Sequence, residues 1–227
     1  MSKIDEYSDT VRNFHFNFEE KPRFDFRPGQ FIMVEVPKEG EKPIKKPYSI
    51  ASPPYFENKI ELCIKLVEGG YVSTWFFSLK KGDTIEVQGP LGAFKLKEPL
   101  PEHLIFIGTG TGIAPLRSMY LQLLHEGYDK PISFVFGNRY ADQIPFHQEA
   151  LDLVKKYPNF HYIPVVSRSP EWEGEKGHVQ EALKKHFPDP TGKSTYICGL
   201  VPMVNETKAL LEELKYPKEA INFEKWT

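Results

Sequence analysis

The chain has 227 residues, enough for one large domain or two small ones and for a core that needs no covalent staples. Its 29 basic and 31 acidic residues leave a formal charge of −2, which makes it a poor candidate for non-specific nucleic-acid binding, since that needs a basic surface. Its two cysteines, Cys63 and Cys198, exclude a disulfide framework, a four-thiolate iron–sulfur cluster and a cysteine-rich zinc site.

The first hundred residues keep a period of two. Phe14, Phe16 and Phe18 alternate with polar residues, as do Ile32, Val34 and Val36. KPYSIAS (46–52) reads as the next strand. Ile60, Leu62, Ile64 and Leu66 then alternate with Glu61, Cys63 and Lys65, and TIEVQG (84–89) repeats the pattern. Alternation puts one face on a core and the other towards solvent or a ligand. Turn signals at Pro28-Gly29, Pro53-Pro54, Gly69-Gly70 and Gly89-Pro90 separate the runs, which predicts a small antiparallel barrel or sandwich. One helix over 73–80 interrupts the strands, with Ser73 as its N-cap.

The second half alternates strand and helix. Strands are predicted at 104–108, 132–137, 161–166, 195–199 and 221–224, and helices at 115–125, 146–156, 179–186 and 202–214. Continuous apolar strands such as LIFIG are buried on both faces, so this half predicts a parallel, doubly wound α/β sheet. The patterns break at KEPLPEH, which places domains at 1–98 and 99–227.

Five segments could carry chemistry, and each has a plain structural alternative. GTGTGIAP (108–115) follows a buried strand and opens a helix, the arrangement that attracts a phosphate; it could equally be a tight strand–helix turn. It departs from the G-x-G-x-x-G fingerprint, with Ala114 just past the expected third glycine. In KPYS, Tyr48 and Ser49 point to opposite faces and could serve a flat ring, or Tyr48 could be core. GGYVST (69–74) offers a second anion site or a simple hairpin turn. Cys198 ends a parallel strand, where ligands sit in open α/β sheets, although strand cysteines are commonly buried core. Trp226 could cover a ligand or merely pack.

In this order and spacing, KPYS, GYVS, GTGTGIAP, CGLVPM and a terminal Glu-x-aromatic resemble the ferredoxin–NADP reductase family of flavoproteins over essentially the whole chain. The resemblance implies an antiparallel flavin-binding β-barrel followed by a parallel doubly wound nucleotide-binding domain, with FAD and NADPH or NADH as cofactors. It places Tyr48 against the flavin ring and Ser49 near its reactive nitrogen, with Lys46 and Pro47 beside them. Lys46 stands where the family usually has arginine, which keeps the charge and loses the bidentate fork. Ile64 and Lys65 would hold the ribityl–adenosine part through backbone, and Gly70, Val72, Ser73 and Thr74 the flavin pyrophosphate. Gly108, Thr109, Gly110, Thr111 and Gly112 would hold the nicotinamide dinucleotide's pyrophosphate. Cys198, Gly199 and Met203 would lie beside the nicotinamide. Ser49, Cys198, Glu224 and Trp226 are the implied catalytic group, Trp226 covering the flavin.

Asn138 and Arg139, and Ser167 and Arg168, each follow a strand; Ser167-Arg168 resembles the 2′-phosphate site of NADPH-using relatives, with Lys176 a helper. Trp172, Gly174 and Gly177 instead resemble the W-x-G-x-x-G of NADH-using oxygenase reductases. The implied function is a reductase passing electrons from NAD(P)H through FAD to a separate carrier: ferredoxin, flavodoxin or an oxygenase component. A free-flavin or ferric-chelate reductase, or a non-catalytic electron-transfer subunit, are the alternatives. No apolar run reaches the roughly 20 residues of a membrane span, and MSKIDEYSDT lacks a signal-peptide pattern. The expectation is a cytoplasmic monomer with no membrane or nucleic-acid partner. The seven histidines show no metal-ligand spacing, so no metal is expected.

Overall fold

Period-two hydrophobicity in the first half becomes β1 (Lys3–Ser8), β2 (Val11–Asn17), β3 (Phe31–Val36), β4 (Ile44–Ser49), β5 (Lys59–Lys65), α1 (Tyr71–Ser78) and β6 (Glu86–Leu91). The computed structural model describes residues 1–18 and 23–226. Its antiparallel strands form two three-stranded sheets, ordered β1–β2–β5 and β4–β3–β6. Phe14, Phe16, Ile60, Leu62 and Ile64 from one sheet meet Ile32, Val34 and Val36 from the other, with Val72 and Phe76 of α1. Each such side chain contributes about 1.5–3 kcal/mol on burial. The barrel is thus two small sheets packed on each other and joined where the Ala51 amide, just beyond β4, donates to the Glu61 carbonyl of β5.

The helix starts at Tyr71, not Ser73, and its N-cap is Gly70. Ser73 lies inside the first turn, where its Oγ accepts from the Val67 amide and donates to the Gly70 carbonyl, both at 3.0 Å. The serine therefore closes the turn before the helix instead of capping the helix itself. Strand β1 carries no period-two signal, because KIDEYS is partly buried along both faces.

The second half supplies β7 (His103–Thr109), α2 (Ile113–His125), β8 (Ile132–Asn138), α3 (His147–Lys156), β9 (Phe160–Val166), β10 (Glu175–Lys176), α4 (Val179–His186), β11 (Lys193–Leu200), α5 (Val201–Glu213) and β12 (Ile221–Trp226). These strands form one parallel sheet in the order β10–β9–β8–β7–β11–β12. Side chains of α2 pack into the core on one face, with Phe106 and Phe134, and those of α4 and α5 on the other, with Ile107 and Val135. Strand order reverses between β7 and β11, and the crevice beyond the carboxyl ends of such a pair is where open α/β sheets bind ligands.

The halves meet along β5. Alternation predicts a polar face at Glu61, Cys63 and Lys65, yet residues 60–64 are buried without a break. Cys63 belongs to the core built around α2, so the second domain covers the face that alternation assigned to solvent or ligand. Arg117 of α2, only 4% exposed, organises the contact. Its Nε and Nη2 donate to Glu149 of α3 at 2.7 and 2.6 Å. Its Nη1 donates to Glu61 and to the Ala51 carbonyl, both at 2.8 Å. The Phe146 ring lies 4.2 Å beneath the guanidinium. Ser118, the next residue, donates to the Ser52 carbonyl at 2.7 Å.

Glu61 continues the network into the first sheet. It lies 3.3 Å from His15, which in turn lies 2.6 Å from Asp5 of β1. Burial by itself raises a carboxyl's pKa; here the hydrogen bond from His15 and the Arg117 charge outweigh burial and hold Glu61 down to about 2. Burial by itself lowers His15, but hydrogen bonds and charge from Glu61 and Asp5 win, and His15 is raised above 6.5.

Candidate functional site

On the barrel side, β4 presents Tyr48 and Ser49. Tyr48 is half-buried, its ring edge-on to Phe76 of α1 at 4.9 Å, and burial pushes its phenol up to about 12. Lys46, two residues earlier on the same strand face, is exposed and has no ion-pair partner among the described residues. Tyr71 donates its hydroxyl to the Pro37 carbonyl at 2.9 Å, which holds the start of α1 beside the β3–β4 hairpin. Gly70, Val72, Ser73 and Thr74 thus lie at a helix N-terminus near the Lys46 end of β4. Strand β5 is a sheet edge. Glu61 turns its backbone away from β2, bonding Ala51 and Ser52. Cys63 and Lys65 follow in the same phase, so the open edge runs to the end of the strand, beside Ile64.

On the sheet side, Gly108 and Thr109 end β7, and residues 110–112 make one 3₁₀ turn before α2. A Cβ on Gly112 would collide with the Cys198 carbonyl, so glycine there lets the loop lie on β11. Gly110 has φ +51° and nothing within 4 Å of where a Cβ would stand, which leaves open space above the turn. A Cβ on Gly199 would come 2.5 Å from Met203 Cε and 2.6 Å from Thr109 Oγ1. The loop, Gly199 and Met203 are therefore in mutual contact at the switch point. Cys198 is fully buried, and burial, aided by the Glu224 charge, raises its thiol well above the ordinary range. The thiol stays protonated.

The two sides touch through Glu224. Ser49 donates its Oγ to Glu224 Oε2 at 3.3 Å, from the end of β4 to β12. Glu224 stands opposite Cys198 in the β11–β12 ladder. Burial raises the Glu224 pKa, although hydrogen bonds from Trp226 and Ser49 pull the other way. Ser49, Cys198, Glu224 and Trp226 thus converge, with Tyr48 adjacent. A separate cavity of about 910 Å³, between Phe16, Phe24, Trp75 and Val87, includes none of these residues.

A second corner lies at the ends of β8 and β9. The Ser167 amide donates to Asn138 at 3.1 Å and the Arg168 amide to Arg139 at 2.7 Å, so the ladder carries both arginines out side by side. Both are exposed, and neither has an ion-pair partner among the described residues. Asn138 Nδ2 is buried without a hydrogen-bond partner. Lys176, expected as a helper, instead donates to the Pro170 carbonyl at 2.8 Å. The W-x-G-x-x-G residues serve the chain itself. Gly174 packs against the Trp172 indole, and Gly177, at φ +95°, turns into α4. There Glu181 bonds the His178 amide in a capping box.

Residues 1–96 match the model of the oxidoreductase FAD-binding domain, and residues 106–209 that of the oxidoreductase NAD-binding domain. Ferredoxin–NADP reductase B of Sorangium cellulosum is 31% identical over 224 residues, covering 95% of this chain and 91% of that protein. The chain belongs to the ferredoxin–NADP reductase family. The family's members here are FAD- and NAD(P)-binding oxidoreductases. The reductase component DmpP of phenol 2-monooxygenase from Pseudomonas sp. CF600 is 32% identical over 211 residues, 90% of this chain but only 58% of that protein. Amycolatopsis cytochrome P450 reductase GcoB superposes with a TM-score of 0.89 at 26% identity, over 99% of this chain and 67% of that one.

The residues present fit both cofactors of a ferredoxin–NADP reductase-family protein. Free Lys46 and the α1 N-terminus suit one pyrophosphate, and the open turn at Gly110 a second. The orphaned Asn138 amide and the paired arginines suit the far end of a nucleotide. Glu61 and Arg117 escaped sequence reasoning. The available signal was a lone charge inside each of two apolar runs, I-E-L-C-I and L-R-S-M-Y.

Proposed function

We propose that this chain is a flavoprotein reductase that moves electrons from NADPH through bound FAD to a separate one-electron carrier, a ferredoxin, flavodoxin or oxygenase component. Glu98–Pro99 divides its two working units. The Ser49–Glu224 contact carries the reading. It sets the residues that would face a flavin ring against Cys198 and Glu224 at the switch point of the nucleotide-binding sheet. When bound, the flavin supplies the chemistry of accepting two electrons from a nicotinamide and giving them up singly.

The chain's own residues do the rest. Tyr48 supplies a flat apolar wall and Ser49 a hydroxyl on the opposite face of the strand. Cys198, neutral and fully buried, backs the crevice floor beside Glu224 rather than facing it. Glu224, with its raised pKa, holds a proton more readily than an exposed carboxyl and can exchange it with the Ser49 hydroxyl. Trp226, tethered to Glu224, shields the ring until nicotinamide arrives. Arg139 and Arg168 favour NADPH because a 2′-phosphate needs cationic partners.

A visible absorption spectrum of the purified protein, then anaerobic titration with NADPH and NADH, tests the proposal. Retained flavin bleached by NADPH supports it; a colourless protein that turns over added free flavin favours the flavin-reductase alternative. Arg168→Ala is expected to raise KM for NADPH about tenfold or more, roughly one charge-assisted hydrogen bond, with little change for NADH. Equal effects on both nucleotides refute the arginine assignment.

A further inference from the structure

We propose that Arg117, assisted by Ser118, is a positioning residue: it fixes the register of the nucleotide-binding loop against the flavin strand. The inference rests on the function proposed above. Arg117 and Ser118 lie in the early turns of α2, the helix that follows the 108–112 loop. Their acceptors on the barrel are the carbonyls of Ala51 and Ser52, just beyond Tyr48 and Ser49, and the Glu61 carboxylate of β5. The loop and the flavin strand are thus linked by a short, buried, charge-assisted path.

The acceptors are themselves braced. The Ala51 amide donates to the Glu61 carbonyl at 2.8 Å and the Glu61 amide to Ser52 Oγ at 3.1 Å. Glu149 and the Phe146 ring hold the other side of the guanidinium. Only a planar fork with donors in fixed directions spans Glu149, Glu61 and Ala51 together. The active-site contact at Ser49–Glu224 is one 3.3 Å bond, too weak to set the spacing of the two sites. The Lys97 amide also donates to the Tyr196 hydroxyl across the interface at 2.8 Å, but that bond reaches neither α2 nor the strand of Tyr48, so Arg117 and Ser118, which link both, carry that task. Two rings that must meet in near-attack geometry are sensitive to displacement: about 1 Å of misplacement can cost about 100-fold in rate.

Arg117→Lys tests this, because lysine keeps a buried cation beside Glu61 and Glu149 but loses the fork. In the flavin-loaded protein, the amides of Ala51, Glu61 and residues 110–113 should exchange faster with deuterium. Flavin reduction at saturating nucleotide should slow about 10- to 100-fold. KM should stay within about threefold, since binding contacts are retained. Reoxidation of chemically reduced flavin by ferricyanide should match wild type. Ser118→Ala should show the same pattern at smaller amplitude, and it decides the matter by the same readouts if Arg117→Lys does not fold. Wild-type reduction rates despite faster exchange overturn the inference, as does an equal fall in reduction and reoxidation. A wild-type protein that neither nucleotide reduces overturns the proposed function and this inference with it; a wild type that is reduced, with variants equally fast, overturns the inference alone.

Discussion

Among the contacts that join the barrel to the sheet, two involve a carboxylate whose pKa departs from the ordinary value, Glu61 at Arg117 and Glu224 at the crevice, and their environments push those carboxylates in opposite directions. At Arg117, Glu61 is depressed to about 2 and fully ionised, bonded to Arg117 and Asn13 and close to His15. At the crevice, Glu224 is raised, with Ser49 and Trp226 as its hydrogen-bond partners among the described residues. Burial raises both; at Glu61 the His15 hydrogen bond and the Arg117 charge reverse the sign, and at Glu224 the hydrogen bonds from Trp226 and Ser49 do not. One contact is a buried, charge-assisted network; the other is a single neutral-donor hydrogen bond to a carboxylate at the crevice.

Isosteric neutralisation should separate the two most sharply. Glu61→Gln breaks a buried ion pair and is expected to cost about 3–5 kcal/mol in urea unfolding. Glu224→Gln removes no ion pair and should stay within about 0.5 kcal/mol. Equal losses would erase the distinction. Next in size, Ser49→Ala should slow flavin reduction about tenfold through loss of one hydrogen bond while barely moving the melting temperature; stopped-flow absorbance and thermal unfolding on one preparation decide it. Trp226→Ala should raise nucleotide occupancy a few-fold and relax NADPH-over-NADH discrimination, as expected for ring stacking of about 0.5–1.5 kcal/mol. Unchanged affinity in an equilibrium titration argues against shielding.

The smallest expected effect is on pH dependence. His15 is raised above its ordinary 6.5, so its contribution is complete below pH 6.5 and is lost as pH rises through the raised value. Glu61 is lowered from 4.5, so its contribution is complete above pH 4.5 and is lost as pH falls towards about 2. The interdomain network is strongest between those limits. A melting temperature that declines from pH 6 to pH 8 in wild type, with a shallower decline in His15→Gln, is the expected result; identical slopes contradict it.

Much was legible without coordinates. The period-two runs became β2, β3 and β5, and the continuous apolar runs became the parallel strands β7, β8 and β11, because local burial demands are written directly into side-chain polarity. The GTGTG turn and the Tyr48-Ser49 pair stood out for the same reason: the chemistry of an anion or a flat ring needs those residue types close in sequence. Their convergence did not stand out. Ser49 and Glu224 are 175 residues apart, and Arg117 and Glu61 are 56 apart. Alternation in β5 marked Glu61 and Cys63 as an outer face because polarity reports a strand's own preference, not what a second domain lays over it. Local order was therefore determined by the sequence itself. The depressed Glu61, the neutral Cys198 and the raised Glu224 were decided only by tertiary structure, since a buried group's pKa depends on which distant partner reaches it.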